Sequence, residues 1–250
     1  MSEALKPLSW YRDLGEAAGR REAGCFLVEG ERAIRQVVQQ QPEAVVELLT
    51  TGAAPVDLAG YPVRELTEKQ MKSTSGTVTP QGLLAVVKLP KGHESTTLPD
   101  QPGNRVLLLE QVQDPGNAGT LIRTAAAFGW DGVIMSDGCA DPFAPKTVQA
   151  AAGTVLSLWL RRTEGYLGMA RELRTRGYRL VATALDGEDD TALLTAGKLV
   201  LALGNEAHGL SQELRATADA SFRLPVAAEK AESLNVAVAG GICLYLSRRA

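Results

Sequence analysis

The chain has 250 residues, 45% of them hydrophobic and 22% charged, with a formal net charge of −3. That length fits one large or two modest domains; the composition argues against disorder, and the charge gives no overall basic footprint of the kind nucleic-acid binders carry. No apolar run approaches the roughly 18 residues of a membrane span. The opening Met1-Ser2-Glu3-Ala4-Leu5-Lys6-Pro7 lacks the apolar core of a signal peptide, and Cys25, Cys139 and Cys243 form no CxxC pair, so a cytoplasmic protein without a disulfide framework or zinc site is expected.

Taken in order, residues 10–24 read as an opening helix and Cys25 to Gly30 as a short strand. Ala33, Ile34, Val37 and Val38 recur at helical spacing up to Pro42. Val45 to Leu49 is a second strand, Val63 lies in a third, and Leu66 to Met71 is a helix with Thr67 near its cap. Ser73 to Pro80 is loop-like and Leu83 to Val87 is a strand. Alternating helices and strands make residues 1–92 a compact α/β unit. Residues 93–103, rich in Ser, Thr, Pro and Gly, form a linker.

Residues 104–250 make the second domain. Val106 to Leu109 is a buried strand; a polar turn leads into a helix with Asn117 as its cap and Gly129 as its end. Val133 to Met135 is the next strand, Pro145 opens a helix towards Gly153, and Val155 to Leu160 reads as a strand. A helix from Gly165 to Thr175, strands at Tyr178 to Thr183 and Leu199 to Leu203, and a short helix capped by Ser211 come next. Ala220 to Leu224 is the last strand. Ser233 or Asn235 opens the final helix, whose stripe of Val238, Ile242, Tyr245 and Leu246 faces a core or a partner.

Three polar stretches come after buried strands, which in a parallel sheet places them at one edge, where such sheets bind ligands. The first carries Asn117 and Arg123. An Arg among small and apolar neighbours either reaches to water or grips an anion. The second is Gly204-Asn205-Glu206-Ala207-His208-Gly209; with His93, His208 completes the histidine inventory, which disfavours a multi-histidine metal centre. The third runs Leu224-Pro225-Val226 and then Ala231-Glu232-Ser233-Leu234-Asn235-Val236, with small residues after it. Those small residues read either as a close ligand approach or as tight packing through Ala237, Ala239, Gly240 and Gly241. Paired cations stand at Arg20-Arg21, Lys69 with Lys72, Arg161-Arg162, Arg174 with Arg176 and Arg179, and Arg248-Arg249.

In this order, Asn117-Ala118-Gly119-Thr120-Leu121-Ile122-Arg123-Thr124-Ala125, Leu203 to Leu210, and Leu224-Pro225 with Ser233-Leu234-Asn235-Val236 resemble the SpoU/TrmH family of RNA ribose methyltransferases, in the SPOUT superfamily. The resemblance covers the second domain. Through Phe26-Leu27-Val28-Glu29-Gly30, the first resembles that family's ribosomal-protein-like substrate-binding domain.

The resemblance implies a fold, a reaction and a set of site residues. The implied fold is a SPOUT-type α/β parallel sheet with a C-terminal trefoil knot, an exception to the rule of un-knotted chains, preceded by a small α/β RNA-binding domain. The implied reaction is methyl transfer from S-adenosylmethionine to a ribose 2′-hydroxyl, in ribosomal RNA, with transfer RNA as the alternative substrate. By the same resemblance the donor is held by Thr183, Ala184, Leu203, Gly204, Asn205, Glu206, Phe222, Leu224, Ser233 and Leu234. Arg123, Asn117, Glu206, Ser233 and Asn235 are the implied catalytic set, and the implied assembly is a homodimer through the knot and last helix. A guanidinium stays protonated in proteins, so Arg123 is expected to bind the neighbouring phosphate and steady the developing alkoxide rather than act as a base. Arg20, Arg21, Lys69 and Lys72 are the candidate RNA contacts of the first domain. The rivals are a catalytically silent RNA-binding module and an ordinary doubly wound nucleotide enzyme. The latter is disfavoured because no GxGxxG comes after the first strand of either domain.

Overall fold

The computed structural model describes residues 6–77, 79–195, 197–227, 229–230 and 233–248. Met1 to Leu5, Val78, Ala231, Glu232 and Arg249, each part of a stretch read in the sequence, lie outside them. The described residues gather into two compact units: one comprises residues up to 91 together with 141–157, the other 92–140 and 158 onward.

The first unit begins with two short helices, α1 (Leu8–Asp13) and α2 (Ala17–Ala23), where one helix was expected. The chain breaks at Leu14, which is fully buried, and the Arg20 guanidinium donates to the carbonyls of Leu14 and Gly15 freed by the break. Strand β1 (Cys25–Glu29) is followed by α3 (Glu31–Gln40), β2 (Val45–Thr50), β3 (Val63–Glu65), α4 (Glu68–Thr74) and β4 (Leu83–Lys88). Thr67 caps α4 in a reciprocal box: its hydroxyl accepts from the Gln70 amide, and the Gln70 side chain accepts from the Thr67 amide. The sheet order is β1-β4-β2-β3, with β4 antiparallel to both neighbours and β3 parallel to β2. Tyr11, Leu27, Leu49, Met71 and Val86 form a core on it.

The second unit opens with β5 (Arg105–Leu109), α5 (Pro115–Ala127) and β6 (Gly132–Ser136). The chain then contributes α6 (Pro145–Ala151) to the first unit, where Phe143 packs on Phe26 with ring centroids 5.0 Å apart. The strand expected over Val155 to Leu160 is displaced. Thr154–Leu156 is a 3-10 turn whose Val155 and Leu156 are buried in the first unit, with Gln41 donating to the Leu156 carbonyl. Pairing begins only with β7 (Trp159–Thr163). One apolar run thus serves two cores. After it come α7 (Tyr166–Thr175), β8 (Arg179–Glu188), β9 (Leu199–Leu203), α8 (Gln212–Thr217), β10 (Ala220–Phe222) and α9 (Val236–Leu246).

The six strands of this unit are all parallel, in the order β10-β8-β9-β5-β6-β7. Every residue of β5, β6 and β9 is buried, the consequence of unbroken apolar runs covered on both faces. The chain winds outward from β5 through β6 to β7, then crosses to build the other half. Hence β9 lies beside β5 in register, Leu107 opposite Leu201 and Leu109 opposite Leu203. The loops after β5 and β9 therefore leave adjacent strand ends, at the point where open α/β sheets bind ligands. On the far side, α9 lies on α5, where a Cβ on Gly240 would meet Leu121 at 2.4 Å and Leu203 at 2.6 Å. Of the two readings of the small residues near Asn235, close packing accounts for Gly240.

Candidate active site

The polar loops meet through side chains. Asn117 is not the cap of α5: Asp114 takes that role, accepting from the Asn117 amide at 2.7 Å, with Pro115 opening the helix. A backbone already capped leaves the Asn117 side chain available. Its Nδ2 donates to Glu206 Oε1 at 2.8 Å, and its Oδ1 accepts from Asn235 Nδ2 at 3.0 Å. Asn235 in turn caps α9, its Oδ1 accepting from the amides of Ala237 and Val238. One residue from each of the three sequence stretches thus stands in a single chain of hydrogen bonds.

The loop after β9 is a tight hairpin, with Asn205 and Gly209 exchanging backbone hydrogen bonds of 3.0 and 2.9 Å. Gly209 has φ 68°, and a Cβ on Gly204 would sit 2.3 Å from the Gly209 carbonyl carbon. Both glycines are therefore explained by the turn itself. The Asn205 side chain pins the hairpin, donating to the Gln111 carbonyl and accepting from the amides of Ala207 and His208.

Against this hairpin lies a cleft of about 630 Å³, within the usual range for small-ligand sites. Thr183 and Ala184 of β8, Leu203 to Glu206, Phe222 and Leu224 around the end of β10, and Ser233 and Leu234 before α9 all line it. The residues expected to hold a methyl donor are thus brought to one cavity. Its walls are mainly aliphatic, with Phe222 as an aromatic face and Thr183, Asn205, Glu206, His208, Ser233 and the Asp186–Arg215 pair as polar points, a set suited to a nucleoside with a charged tail.

Arg123 is placed differently. It stands on an exposed part of α5, lines neither this cleft nor the neighbouring one that holds Tyr166, and has no hydrogen bond or ion pair among the described residues. Six residues along a helix turn it about 120° away from Asn117. Arg20 is a correction. It is 4% exposed and spent on the carbonyls of Leu14 and Gly15 and on Asp141, so it offers no surface charge for RNA. Arg21, Lys69 and Lys72 are exposed.

Two features carried no sequence signal. Glu110, 2% exposed, accepts from Tyr166 Oη at 2.6 Å and from the amide and hydroxyl of Ser211 at 2.6 and 2.7 Å. Burial and this carboxylate push the Tyr166 phenol well up from its ordinary value. At the 630 Å³ cleft, Arg215 of α8 pairs with both carboxylate oxygens of Asp186 at 2.6–2.7 Å. Only the packing of α7 and α8 brings these distant partners together.

Residues 104–245 match the SpoU rRNA Methylase family and residues 10–85 the MRM3-like substrate binding domain. The chain is 34% identical over 241 residues to the 23S rRNA (guanosine(2553)-2′-O)-methyltransferase RlmP of Bacillus subtilis, covering 94% of this chain and 93% of that one. It is 29% identical to the 23S rRNA (guanosine-2′-O-)-methyltransferase RlmB of Vibrio vulnificus, over 87% of this chain and 94% of that one. Among solved structures, the AdoMet-bound rRNA methyltransferase from Sinorhizobium meliloti superposes with a TM-score of 0.81 at 31% identity, covering 100% of this chain and 97% of that one. The SpoU methyltransferase AviRb from Streptomyces viridochromogenes, in complex with AdoMet, gives 0.80 at 28% identity, over 95% and 94%. With the family match spanning more than half of its length, the chain belongs to the SpoU rRNA methylase family.

Proposed function

We propose that the protein transfers a methyl group from S-adenosylmethionine to the 2′-hydroxyl of a ribose in 23S ribosomal RNA. The observation that carries this reading is the hydrogen-bonded line Glu206–Asn117–Asn235 beside the 630 Å³ cleft, at the junction of β5 and β9. It is reinforced by relatives that carry this activity in their names. The bound donor supplies a methyl group already activated by its sulfonium. The chain's part is to position: Leu203, Phe222 and Leu224 exclude water from the donor, Ser233 and Asn205 orient it, and Asn117 and Glu206 hold the acceptor ribose in line. The O2′–methyl bond forms as the sulfonium–methyl bond breaks, and the hydroxyl proton leaves to phosphate or water. Arg123 binds the phosphate and steadies the charge on O2′.

The protein acts as a homodimer. Val238, Ile242 and Tyr245 of α9 are 52%, 38% and 45% exposed and continue into Phe128, whose ring lies 5.9 Å from that of Tyr245. Contiguous apolar surface of this kind marks an interface. A dimer through it would let Arg123, outside the cleft of its own chain, serve the partner's. The C-terminal segment forms the trefoil knot of the superfamily. Arg21, Lys69 and Lys72 contact RNA, and residues 93–103, which gather with the second unit, lead from the substrate-binding domain into the methyltransferase domain. Among the described residues no helix is long and apolar enough to cross a membrane, and a cytoplasmic location accords with the proposed rRNA substrate.

The test is methyl transfer from labelled S-adenosylmethionine to ribosomal and transfer RNA by the wild type and Arg123→Ala, with mapping of the blocked 2′-hydroxyl. One labelled 23S position, with a rate about 10²–10³-fold lower in the variant at unchanged donor affinity, is expected. Label confined to transfer RNA would overturn the substrate, and unchanged turnover would overturn the role of Arg123.

A further inference from the structure

A second cleft, of about 660 Å³, shares the segment Asn205 to Leu210 with the donor cleft but is otherwise walled by the loop after β5, by Ser211 and by Tyr166 of α7. The methyl-transfer reading leaves it without an occupant. Its lining contains no Lys or Arg, so it is poorly suited to a phosphate. It instead offers uncharged hydrogen-bonding groups beside two carboxylates, those of Glu110 and Glu206. Glu110 and Asn205 are engaged by their own partners and face the cavity as structure. The amide of Gln113, the imidazole of His208 and the second carboxylate oxygen of Glu206 have no hydrogen-bond partner among the described residues. The Tyr166 ring is half-buried, and its hydroxyl is fixed to Glu110. The ring packs against the core and also lines the cleft, so a planar base entering the cleft meets an aromatic wall.

The backbone here is also held in an uncommon state. Gln111 has φ 57°, a left-handed conformation that a residue with a side chain adopts at a cost, and one that clusters at functional sites. Two hydrogen bonds hold it there: its amide donates to the Ser136 hydroxyl, and its carbonyl accepts from the Asn205 side chain. The conformation brings the start of the β5–α5 loop against the hairpin and so shapes the cleft.

We propose that this cleft receives the base of the nucleotide that is methylated. The assignment rests on the methyl-transfer reading and names the part of the acceptor that this site reads. Glu206 lines both clefts. A ribose held at Glu206 and Asn117 therefore places its base against Tyr166, with Gln113 and His208 at the base edge. The phosphates stay outside this cleft, whose lining has no cation to receive them. Planar stacking and neutral hydrogen bonds on a base edge are the usual means of reading an unstacked RNA base.

The experiment is steady-state kinetics with an in vitro 23S rRNA transcript, together with calorimetric donor affinity, for wild type, Gln113→Ala, Tyr166→Leu and Tyr166→Phe. Gln113 is exposed, so its variant keeps the question answerable should loss of the Tyr166 ring disturb folding. Gln113→Ala and Tyr166→Leu are expected to raise KM for the RNA about tenfold with donor Kd unchanged, and Tyr166→Phe to recover most of the loss. An RNA KM unchanged in Gln113→Ala overturns the assignment, and so does a donor Kd that weakens in step with it, which would mark the cleft as the back of the donor site. Absence of any transfer by the wild type would instead remove the underlying reading, and the assignment with it.

Discussion

The two halves of the parallel sheet end in loops fastened by different means. After β5 and β9, side chains bind backbone, as Asn205 and Asp114 do, but also one another: Asn117 to Glu206 and Asn235, and Glu110 to Tyr166 and Ser211. After β6 and β7, side chains bind backbone. Arg162 donates from Nε to the Cys139 carbonyl at 3.1 Å and from Nη2 to the Asp137 carbonyl, while the Cys139 thiol donates to the Leu109 carbonyl. A side chain that saturates a carbonyl completes a turn and presents nothing further. A carboxylate or carboxamide tied at one atom still offers another, as Glu206 does. Equally polar strand ends can thus be scaffold or site, and unspent hydrogen-bonding capacity separates them.

This division is most exposed to test at Asn117. Asn117→Ala is expected to lower kcat about 10²-fold while leaving donor affinity close to wild type, measured by labelled methyl transfer and calorimetry. Unchanged turnover would make this corner another scaffold. Arg162→Ala is the mirror experiment. It should cost about 2 kcal/mol of stability through two lost charge-assisted hydrogen bonds, read by urea denaturation, with kcat retained. Loss of activity without loss of stability would erase the distinction between the two halves.

Beneath the first region, Cys243 adds a contrast in burial. It lines the donor cleft and is 1% exposed, and burial pushes its thiol from 9.0 to about 12. Below pH 9 it is protonated whether the chain is folded or not. Between the two values only the unfolded chain loses the proton, so stability falls as pH rises, by about 1.4 kcal/mol at pH 10. The stability lost between pH 8 and pH 10 should be greater in wild type than in Cys243→Ala by that increment, and equal losses in denaturation curves would contradict it. The smallest effect is at Asp114. Asp114→Ala removes the cap of α5 and is expected to cost about 1 kcal/mol, with a modest fall in kcat because the Asn117 backbone loses its anchor. A thermal melt and an initial-rate assay check both.

Much of the catalytic unit was legible because its strands are buried on both faces. Unbroken apolar runs such as Leu199 to Leu203 mark such strands, and the polar residues that follow them mark their ends. Sequence patterns failed where tertiary contacts reassigned a role. Asn117 reads as a cap until Asp114, three residues earlier, is found accepting its amide. Arg20 reads as half of a basic pair until Asp141 and two carbonyls are found around it. Val155 to Leu160 reads as one strand until its first residues are found in a different core.

Local patterns were enough to place most residues of the parallel sheet, the strand ends and the three polar stretches that meet at them, because burial on both faces and cap preference are written within a few residues of each other. Folding in three dimensions settled that Glu206, Asn117 and Asn235 join, that Arg123 stands apart from them, and that Glu110, Tyr166 and Ser211 wall a second cleft. Those facts depend on strand order: placing β9 beside β5 brings together residues about 90 to 120 positions apart, and no local pattern records that distance closing.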